Sequence, residues 1–196
     1  MNMKKILNSI SLAVLLIIFI VPGPLLAEVK DPKASVEQLL GEIRQIESGE
    51  AEKHSHLALS LLNVAEISKK ALGKHWAKRS DPERERFQTL LGELFVHVAF
   101  PSSAKFFAEL DTVYEKTKTK KQKVVVPLTV VHEKEGEVGI DFHLIQTGEK
   151  WQVVDVILDG ASMRNNLRSK FYKTIAKKGF DALITTMEKK LKAKKS

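Results

Sequence analysis

The spacing of apolar residues changes once near Thr112 and again after Gly160, and this change limits the fold more than any other feature. Before Thr112, apolar residues recur every three or four positions, as on one side of a helix. From Val124 to Leu158 they alternate with other residues along three segments separated by short turns, which is typical of antiparallel strands. The helical spacing then returns. Helices, a meander of strands and further helices together indicate an α+β fold.

The first helix has a clear beginning at Asp31, because aspartate caps a helix well and Pro32 suits its first turn. Apolar residues follow at helical spacing until Ser48-Gly49, where we expect the helix to end. A second helical segment is predicted over 57–76. It is interrupted around 63–68, where the apolar pattern weakens.

A further helix is predicted from the sequence Ser80-Asp81-Pro82-Glu83, which has capping-box spacing and a proline in the first turn. A wide apolar stripe runs from Phe87 to Val98. We expect Pro101 to end this helix and a separate short helix to occupy 104–110.

The strand segments predict one apolar face and one mixed face. On the first segment Val124, Val126, Leu128 and Val130 share a face, and on the next Val138, Ile140, Phe142 and Leu144 do so. Pro127 lies within the first segment and indicates an edge or a bulge, since it cannot donate a ladder hydrogen bond. Turns are expected at Glu135-Gly136 and at Gly148, a third strand over 150–158, and 112–118 is a candidate for one more strand.

The first 27 residues have the order of a secretory signal: Lys4 and Lys5, an apolar run, the prolines around Gly23, and the small residue Ala27. We expect cleavage after Ala27; an uncleaved anchor is the alternative. Residues 28–196 then form one domain. Its helical part would cover 28–110, its sheet 111–159 and its C-terminal helices 160–196.

The predicted exported chain is basic and contains no cysteine, so its stability must come from packing rather than from disulfides. Loss of Lys4 and Lys5 lowers the formal net charge from +8 to +6. Such a surplus favours anionic partners, namely lipid headgroups, nucleic acid or acidic proteins. Export and the absence of an RNA-binding signature argue against nucleic acid.

Residues for catalysis or metal binding are sparse. The six histidines form no metal-binding motif, so no metal site is predicted. Asp141, His143 and Asp155 lie on neighbouring predicted strands and could supply a general base in a pocket, as in an exported enzyme. In the other interpretation, Asp141 and His143 lie on the polar side of their strand. Asp155 lies among valines, and a carboxylate buried there needs a bonding partner.

The segment "WQVVDVILDGASM" resembles the signature of the MlaC family, periplasmic phospholipid-binding proteins that are auxiliary components of a lipid ABC transporter. The matching residues are Trp151, Asp155, Val156, Gly160, Ser162 and Met163. The stretches "LGKHWAKRSDPERERFQTLLGELF" and "VVVPLTV", and the Gly-Phe-Asp-x-Leu element at 179–183, are also similar to the family. The resemblance covers nearly all of the chain after residue 27.

This resemblance implies an antiparallel, NTF2-like curved sheet packed with N-terminal and C-terminal helices around an apolar cavity. It also implies a diacyl phospholipid as ligand, with no cofactor and no catalysis. The carrier would move lipid between an outer-membrane lipoprotein complex and an inner-membrane complex of an MCE-domain protein with an ABC transporter, and so maintain outer-membrane lipid asymmetry. A hopanoid cargo stays open, as does an exported structural protein that binds a partner through its basic surface.

We expect the cavity to be lined by apolar residues of one helix and three strands; the alternative is that many of the same residues only fill the core, since periodicity does not distinguish a filled interior from a ligand-filled one. These residues are Leu90, Leu94, Phe95, Val98, Val126, Leu128, Val130, Ile140, Phe142, Leu144, Val154 and Val156. Within the family motif, Trp151 is expected to anchor the fold and Asp155 to hold the strand-to-helix junction. Gly160 would permit the turn and Ser162 would cap the next helix, with Met163 directly after it. Arg164, Arg168 and Lys170 are candidates for the basic rim near a headgroup.

Overall fold

A computed structural model describes residues 31–108, 110–120, 123–132 and 136–195. The predicted signal segment and the Glu135 part of the predicted turn lie outside these residues. The helices are α1 (Pro32–Gln45), α2 (Ala51–Ser60), α3 (Val64–Leu72), α4 (Asp81–Leu94), α5 (Phe100–Phe107), α6 (Met163–Lys178) and α7 (Phe180–Lys195). The strands are β1 (Thr112–Tyr114), β2 (Lys118–Lys120), β3 (Lys123–His132), β4 (Gly136–Thr147), β5 (Lys150–Leu158) and β6 (Ala161–Ser162). Among the described helices, none combines the length and apolar character needed to cross a membrane.

The strands form one antiparallel sheet in the order β1-β3-β4-β5-β6, and β2 also pairs with β3. Val126 lies opposite Phe142, and Leu128 lies opposite Ile140, so the apolar positions of β3 and β4 fall on the same face. The predicted α+β architecture with an antiparallel meander is confirmed.

Pro127 lies where the edge of the sheet is interrupted. β1 and β2 both pair with β3, and the three residues between them, 115–117, leave the strand conformation opposite Pro127. The Pro127 carbonyl accepts a hydrogen bond from the Glu115 amide at 3.0 Å. The nitrogen and oxygen of a strand residue point to the same side, so the ring nitrogen faces this interruption, where a missing N–H breaks no regular ladder. β3 is not an edge strand, but its pairing with β1 and β2 is interrupted at Pro127, which is the kind of irregularity expected from the predicted edge or bulge.

A β-bulge in β5 corrects the simple alternation expected for that strand. Leu144 is paired with Val153, whereas His143 is paired with Asp155, which leaves Val154 as the extra residue. Val153 and Val156 therefore share the face of the buried β4 side chains. An uninterrupted period of two would have placed Val154 there with Val156.

The chain stays helical through Pro101, contrary to the prediction that Pro101 ends the helix. A π-helical turn over Phe95–Ala99 joins α4 to α5, and the Phe100 amide bonds back to the Phe95 carbonyl. A proline ring normally collides with the carbonyl four residues earlier. The wider π turn relieves this collision, and in the first turn of α5 the missing N–H breaks no bond within the helix. The short helix accordingly covers Phe100–Phe107 rather than 104–110.

Helices cover the inner face of the sheet and extend beyond it as a second packed group. α1 lies over β3 and β5, whereas α3 and α6 pack against β5. Away from the sheet, Phe87 of α4 contacts Phe171 of α6 and Phe180 of α7, with ring centroids 5.4 Å and 6.4 Å apart. Edge and tilted contacts of this kind add to the stability gained from burial. The sheet and the helices share one apolar core.

Candidate functional site

The inner face of β3 and β4 is a closed apolar layer. Its six predicted lining residues are at most 3 % exposed: Val126, Leu128, Val130, Ile140, Phe142 and Leu144. Cross-strand pairing holds them in register, and the helix residues Val36, Leu39 and Leu40 belong to the same core. These side chains therefore pack on helices in this structure, and access by a large ligand requires the layers to separate.

The helix residues predicted to line the cavity lie at the margin of the core. All four are partly buried: Leu90, Leu94, Phe95 and Val98. The first three also pack against the core. The fully buried side of this helical stretch runs instead through Phe87, Leu91, Val96 and Phe100. The spacing from Leu91 to Val96 is five residues, because the π turn adds one residue. A regular α-helical repeat counted along the sequence could not predict which side chains face the core after the π turn.

The free edge of β5 contains a gap between two short pairings. At one end the Val153 amide bonds the Leu61 carbonyl, and the Asn63 amide bonds the Val153 carbonyl, each at 2.9 Å. At the other end Ile157 and Leu158 pair with β6. The bulged stretch Val154–Val156 lies between them and faces no named strand on that side.

An apolar pocket of about 60 Å³ lies at this gap. Its walls come from β5, α3, α6, the π turn and the segment after α2. The lining residues are Leu62, Ile67, Phe95, Val153, Val154, Asp155, Val156, Met163, Arg164 and Leu167. Phe95, Val154 and Val156 were predicted as lipid contacts, and Asp155 and Met163 as motif residues. Arg164 was a candidate for the rim, whereas the contributions of Leu62, Ile67 and Leu167 could not be predicted, because they depend on how distant segments meet.

Asp155 holds the junction between β5 and α6, and the expectation for it is confirmed. Its carboxylate accepts hydrogen bonds from the Ser162 hydroxyl at 2.7 Å and from the Arg164 amide at 3.0 Å. The Arg164 guanidinium forms an ion pair with it at 3.2 Å, and the Asp155 side chain is only 2 % exposed. A buried carboxylate is stable only with such partners. Asp155 is thus committed to this junction.

The rest of the family motif builds the turn and the helix start. Asp159 and Gly160 have φ angles of 46° and 74°, the left-handed pair that a tight two-residue hairpin requires. The Ser162 hydroxyl accepts from the Asn165 amide at 3.0 Å and caps α6. Both agree with the expectations. Trp151 is partly buried and packs against the core, and Met163 is 36 % exposed at the pocket.

The three basic candidates for a rim have different environments. Arg164 lines the pocket, and its buried Nε has no hydrogen-bond partner among the described residues. Arg168 donates to the Lys70 carbonyl and so ties α6 to the end of α3. Lys170 is exposed. Arg164 alone of these three combines the pocket with an unused donor.

A second tie between α6 and α3 surrounds Tyr172. Its hydroxyl accepts a hydrogen bond from the Lys74 amide at 3.0 Å, and its ring makes a T-shaped contact with His75, with centroids 4.7 Å apart. Burial lowers the pKa of His75, so its neutral form is favoured beside the ring. Together with Arg168, this contact fixes the side of α6 next to the pocket.

The residues considered for an enzyme lie at neighbouring positions of β4 and β5. His143 lies opposite Asp155 and two residues from Asp141, so all three are neighbours on the outer face. Asp155 is already held by Ser162 and Arg164, and it is the one of the three that lines the apolar pocket. Within the described residues no cluster of three potential metal ligands occurs.

Comparison with known proteins gives the family. The model of the "MlaC protein" family matches residues 27–189, which is most of the chain. The chain belongs to the MlaC family. This family is periplasmic and consists of non-enzymatic lipid-binding carriers, so the prediction that the chain is not an enzyme is confirmed. A search of curated proteins gave no match for this MlaC chain.

Solved structures confirm the fold of this MlaC chain. A phospholipid-binding protein from Ralstonia solanacearum, solved in complex with a phospholipid, superposes with a TM-score of 0.70. The match covers 84 % of this chain and 96 % of the other, with 18 % sequence identity. At this identity the likeness establishes a common architecture and leaves the ligand of this chain to be inferred.

Proposed function

We propose that this chain is a periplasmic carrier of diacyl phospholipid. It moves lipid between an outer-membrane lipoprotein complex and an inner-membrane complex of an MCE-domain protein with an ABC transporter, and so maintains lipid asymmetry of the outer membrane. The observation that carries the proposal is the apolar pocket at the β5 gap, which adjoins the closed apolar layer beneath the sheet. Membership in the MlaC family and the fold shared with a phospholipid complex support it.

Transport through water requires a protein that covers the acyl chains. A diacyl lipid has about 30 methylenes, and exposing them at about 0.8 kcal/mol each costs roughly 25 kcal/mol. Release into water is therefore far too slow for transport. The carrier must replace water along both chains and hand the lipid over while docked on a partner.

The pocket is the entrance, and the apolar layer is the space that opens behind it. A volume of about 60 Å³ admits the end of an acyl chain and not a whole lipid. Val153 and Val156 lie both in the pocket and on the inner face, so the two regions are contiguous. Movement of α6 and the π turn away from β5 would extend the pocket along the sheet. The bulge and the interrupted backbone pairing make this edge easier to open than the paired strands.

The twelve predicted lining residues then divide into two groups. Phe95, Val154 and Val156 contact the chain at the entrance. The buried residues of β3 and β4 contact it after opening, with Leu90, Leu94 and Val98 on the helical side. Arg164 lies among the pocket residues, and its buried, unpartnered Nε would become available to the headgroup phosphate only when the pocket opens.

Native mass spectrometry of the purified, processed protein tests whether it holds phospholipid. We expect a co-purified diacyl phospholipid in the wild-type protein. Val156→Glu places a charge at the entrance and should remove most of this cargo. Val113→Glu is the matched control, because Val113 also lies on a strand but is 59 % exposed. It should retain the cargo.

Leu167→Glu on α6 is a second entrance variant in case Val156→Glu fails to fold, which circular dichroism would reveal. An empty wild-type protein, or equal cargo in all folded variants, would contradict the proposal. A bound lipid without phosphorus would replace phospholipid by a hopanoid-type cargo. The shuttling step is tested separately, by transfer of labelled phospholipid from the loaded carrier to the inner-membrane complex in nanodiscs.

A further inference from the structure

The positive charge of the chain is concentrated in α6 and α7. The sequence from Met163 to Lys195 contains eleven lysines and arginines and two acids, a net charge of +9. The whole chain has a net charge of +8, so all remaining residues together carry −1. The basic character of this protein is therefore a local property of two helices.

Most of this charge has no ion-pair partner among the residues that the structure describes. Arg164 pairs with Asp155, Lys195 with Glu93, and Arg168 bonds the Lys70 carbonyl. The other eight basic residues are exposed lysines that form no ion pair within the described part of the chain. We call them the lysine face: Lys170, Lys173, Lys177, Lys178, Lys189, Lys190, Lys192 and Lys194. Of the two acids on these helices, Glu188 is itself occupied by Arg86.

Helical spacing directs five of these lysines away from the core, whereas Lys178, Lys190 and Lys194 lie beyond the last buried residue of each helix and are exposed there. Lys170, Lys173 and Lys177 follow one another at intervals of three and four residues, on the side of α6 opposite the buried Phe171. On α7, Lys189 lies opposite the buried stripe that includes Met187. The two helices pack against each other, so neighbouring helices each present lysines to solvent.

The lysine face lacks apolar anchors. The exposed large hydrophobic residues of the described chain are Leu57, Val113, Val131 and Met163, and none lies on α7 or beyond the first turn of α6. A specific protein interface usually contains buried aromatic residues or arginines at its centre. An anionic bilayer attracts lysines without such anchors, through charge close to its surface. The ammonium group of lysine is a point charge on a flexible stem. Lysine therefore suits this diffuse attraction better than it suits geometrically matched ion pairs.

We propose that the lysine face docks on the surface of an anionic phospholipid bilayer. The inference rests on the proposed function, because a phospholipid carrier has to reach membranes. Docking would hold the protein at the membrane without inserting a helix, and would raise its local concentration near partners embedded there. The attraction is electrostatic, so it must weaken as salt is added.

Vesicle co-sedimentation of the full processed chain tests the proposal. We expect binding to vesicles of phosphatidylcholine with phosphatidylglycerol, and little binding to phosphatidylcholine alone. The test variants are Lys170→Gln/Lys173→Gln/Lys177→Gln/Lys178→Gln and Lys189→Gln/Lys190→Gln/Lys192→Gln/Lys194→Gln. Each lysine near such a surface contributes about fivefold, so four lysines contribute roughly 600-fold before screening. Because screening reduces this factor, each variant should weaken binding roughly a hundredfold at low salt.

A matched control removes the same charge from elsewhere. Lys78, Lys105, Lys116 and Lys150 are exposed and lie outside α6 and α7. Their combined change to glutamine should weaken vesicle binding by no more than about threefold. Equal losses in the control and the test variants would mean that only net charge matters, and would overturn the proposal. Absence of binding to phosphatidylglycerol vesicles would overturn it as well.

Three further measurements separate this proposal from its alternatives. The variants should still carry phospholipid in native mass spectra, so loss of docking with retained cargo leaves the carrier function intact. Binding that persists at about 1 M salt would come from lipid uptake and not from docking, and would contradict the proposal. Lysine-dependent binding to an acidic polypeptide such as polyglutamate, with vesicles unbound, would assign the face to a protein partner instead.

Discussion

The closed apolar layer of β3 and β4, called the sealed face below, and the free edge of β5 are built from similar apolar residues. They differ in how regularly their backbones are paired. On the sealed face each strand residue has a partner across the ladder, and the side chains are almost completely buried. At the edge, strand pairing stops after Val153 and resumes at Ile157, and side chains supply the bonds between. The bulge, the pocket and the family motif all occur in this interval.

This difference indicates which part of the molecule can open. Regular ladders share their hydrogen bonds among many residues, so parting them exposes many backbone groups at once. The β5 edge relies on a few side-chain bonds centred on Asp155 and on the ties from α6 to α3. Breaking those bonds removes the polar ties of α6 to β5 and α3 without dismantling the sheet, and α6 remains packed through Phe171 and α7. Four substitutions distinguish a sealed face from an openable edge.

Phe142→Ala should have the largest effect, because it removes a ring that is 3 % exposed at the centre of the sealed face. We expect a loss of about 3–5 kcal/mol in the free energy of unfolding, measured by urea denaturation. Val131→Ala is the control on the neighbouring strand, since Val131 is 50 % exposed and should change stability little. Similar small losses in the free energy of unfolding for both variants would show that the side chains of the inner face are not tightly packed.

Asp155→Ala should have the next largest effect and a different character. The Arg164 guanidinium and the start of α6 lose their buried partner, at a cost of about 2–3 kcal/mol, reduced because Arg164 is partly exposed. In Asp155→Ala/Arg164→Leu part of this loss should return, since no unpaired charge remains. Uptake of fluorescent phospholipid from vesicles should become faster in Asp155→Ala and not in Phe142→Ala. Unchanged uptake would argue that the edge does not open at this junction.

Patterns along the chain predicted the regular parts of this fold and the interruption at Pro127, but they missed the bulge in β5 and the π turn. The alternation in β3 and β4 identified six buried residues, because pairing partners share a face whenever the ladder is regular. The bulge at Val154 and the π turn at Phe95 each insert one residue into a repeating pattern. Such insertions depend on tertiary packing, and a period counted along the sequence passes over them.

The sequence predicted the kind of contacts that Asp155 makes at the candidate site, but only some of the residues that line the pocket. Asp155 among valines required partners, and Ser162 and Arg164 supply them from the next nine residues. Leu62 and Ile67 reach the pocket from the other end of the chain, through a bridge that joins Leu62 to Val153. Local patterns carry no information on such long-range contacts, so these residues appear only in the folded molecule.

Gly73→Ala should have a smaller effect, at the tie between α3 and α6. Gly73 has a φ of 48°, and an added Cβ would overlap the Tyr172 hydroxyl. The two effects together should cost about 1–2 kcal/mol, measured by urea denaturation. In a Tyr172→Phe background the overlap with the hydroxyl disappears, so the cost of Gly73→Ala should fall.

Gly49→Ala is the matched control for this cycle. Gly49 also has a positive φ, 112°, but a Cβ there would meet nothing within 4 Å. Its cost should therefore be the same in the wild-type and Tyr172→Phe backgrounds. An equal cost of Gly73→Ala in both backgrounds would mean that the Tyr172 contact does not restrain α6.

Ser80→Ala should have the smallest effect, because it lies at the start of α4, away from both regions compared here. The Ser80 hydroxyl accepts from the Glu83 amide, and Glu83 accepts from the Ser80 amide at 2.7 Å. Loss of the cap should cost about 1 kcal/mol and leave phospholipid uptake unchanged. Faster uptake in this variant would mean that any loss of stability opens the protein. The proposal that the β5 edge opens specifically would then be wrong.

The same cap gives a pH dependence with a definite sign. The hydrogen bonds from the Ser80 backbone and side chain hold the pKa of Glu83 below its ordinary value of 4.5. The contribution of ionised Glu83 to stability is therefore fully present above about pH 4.5 and is lost as the pH falls through the lower folded value. Urea denaturation of wild type and Glu83→Gln should show their difference shrinking over this acidic range. A difference that stays constant there would exclude Glu83 ionisation as the cause, and a difference that grows would reverse the assigned sign.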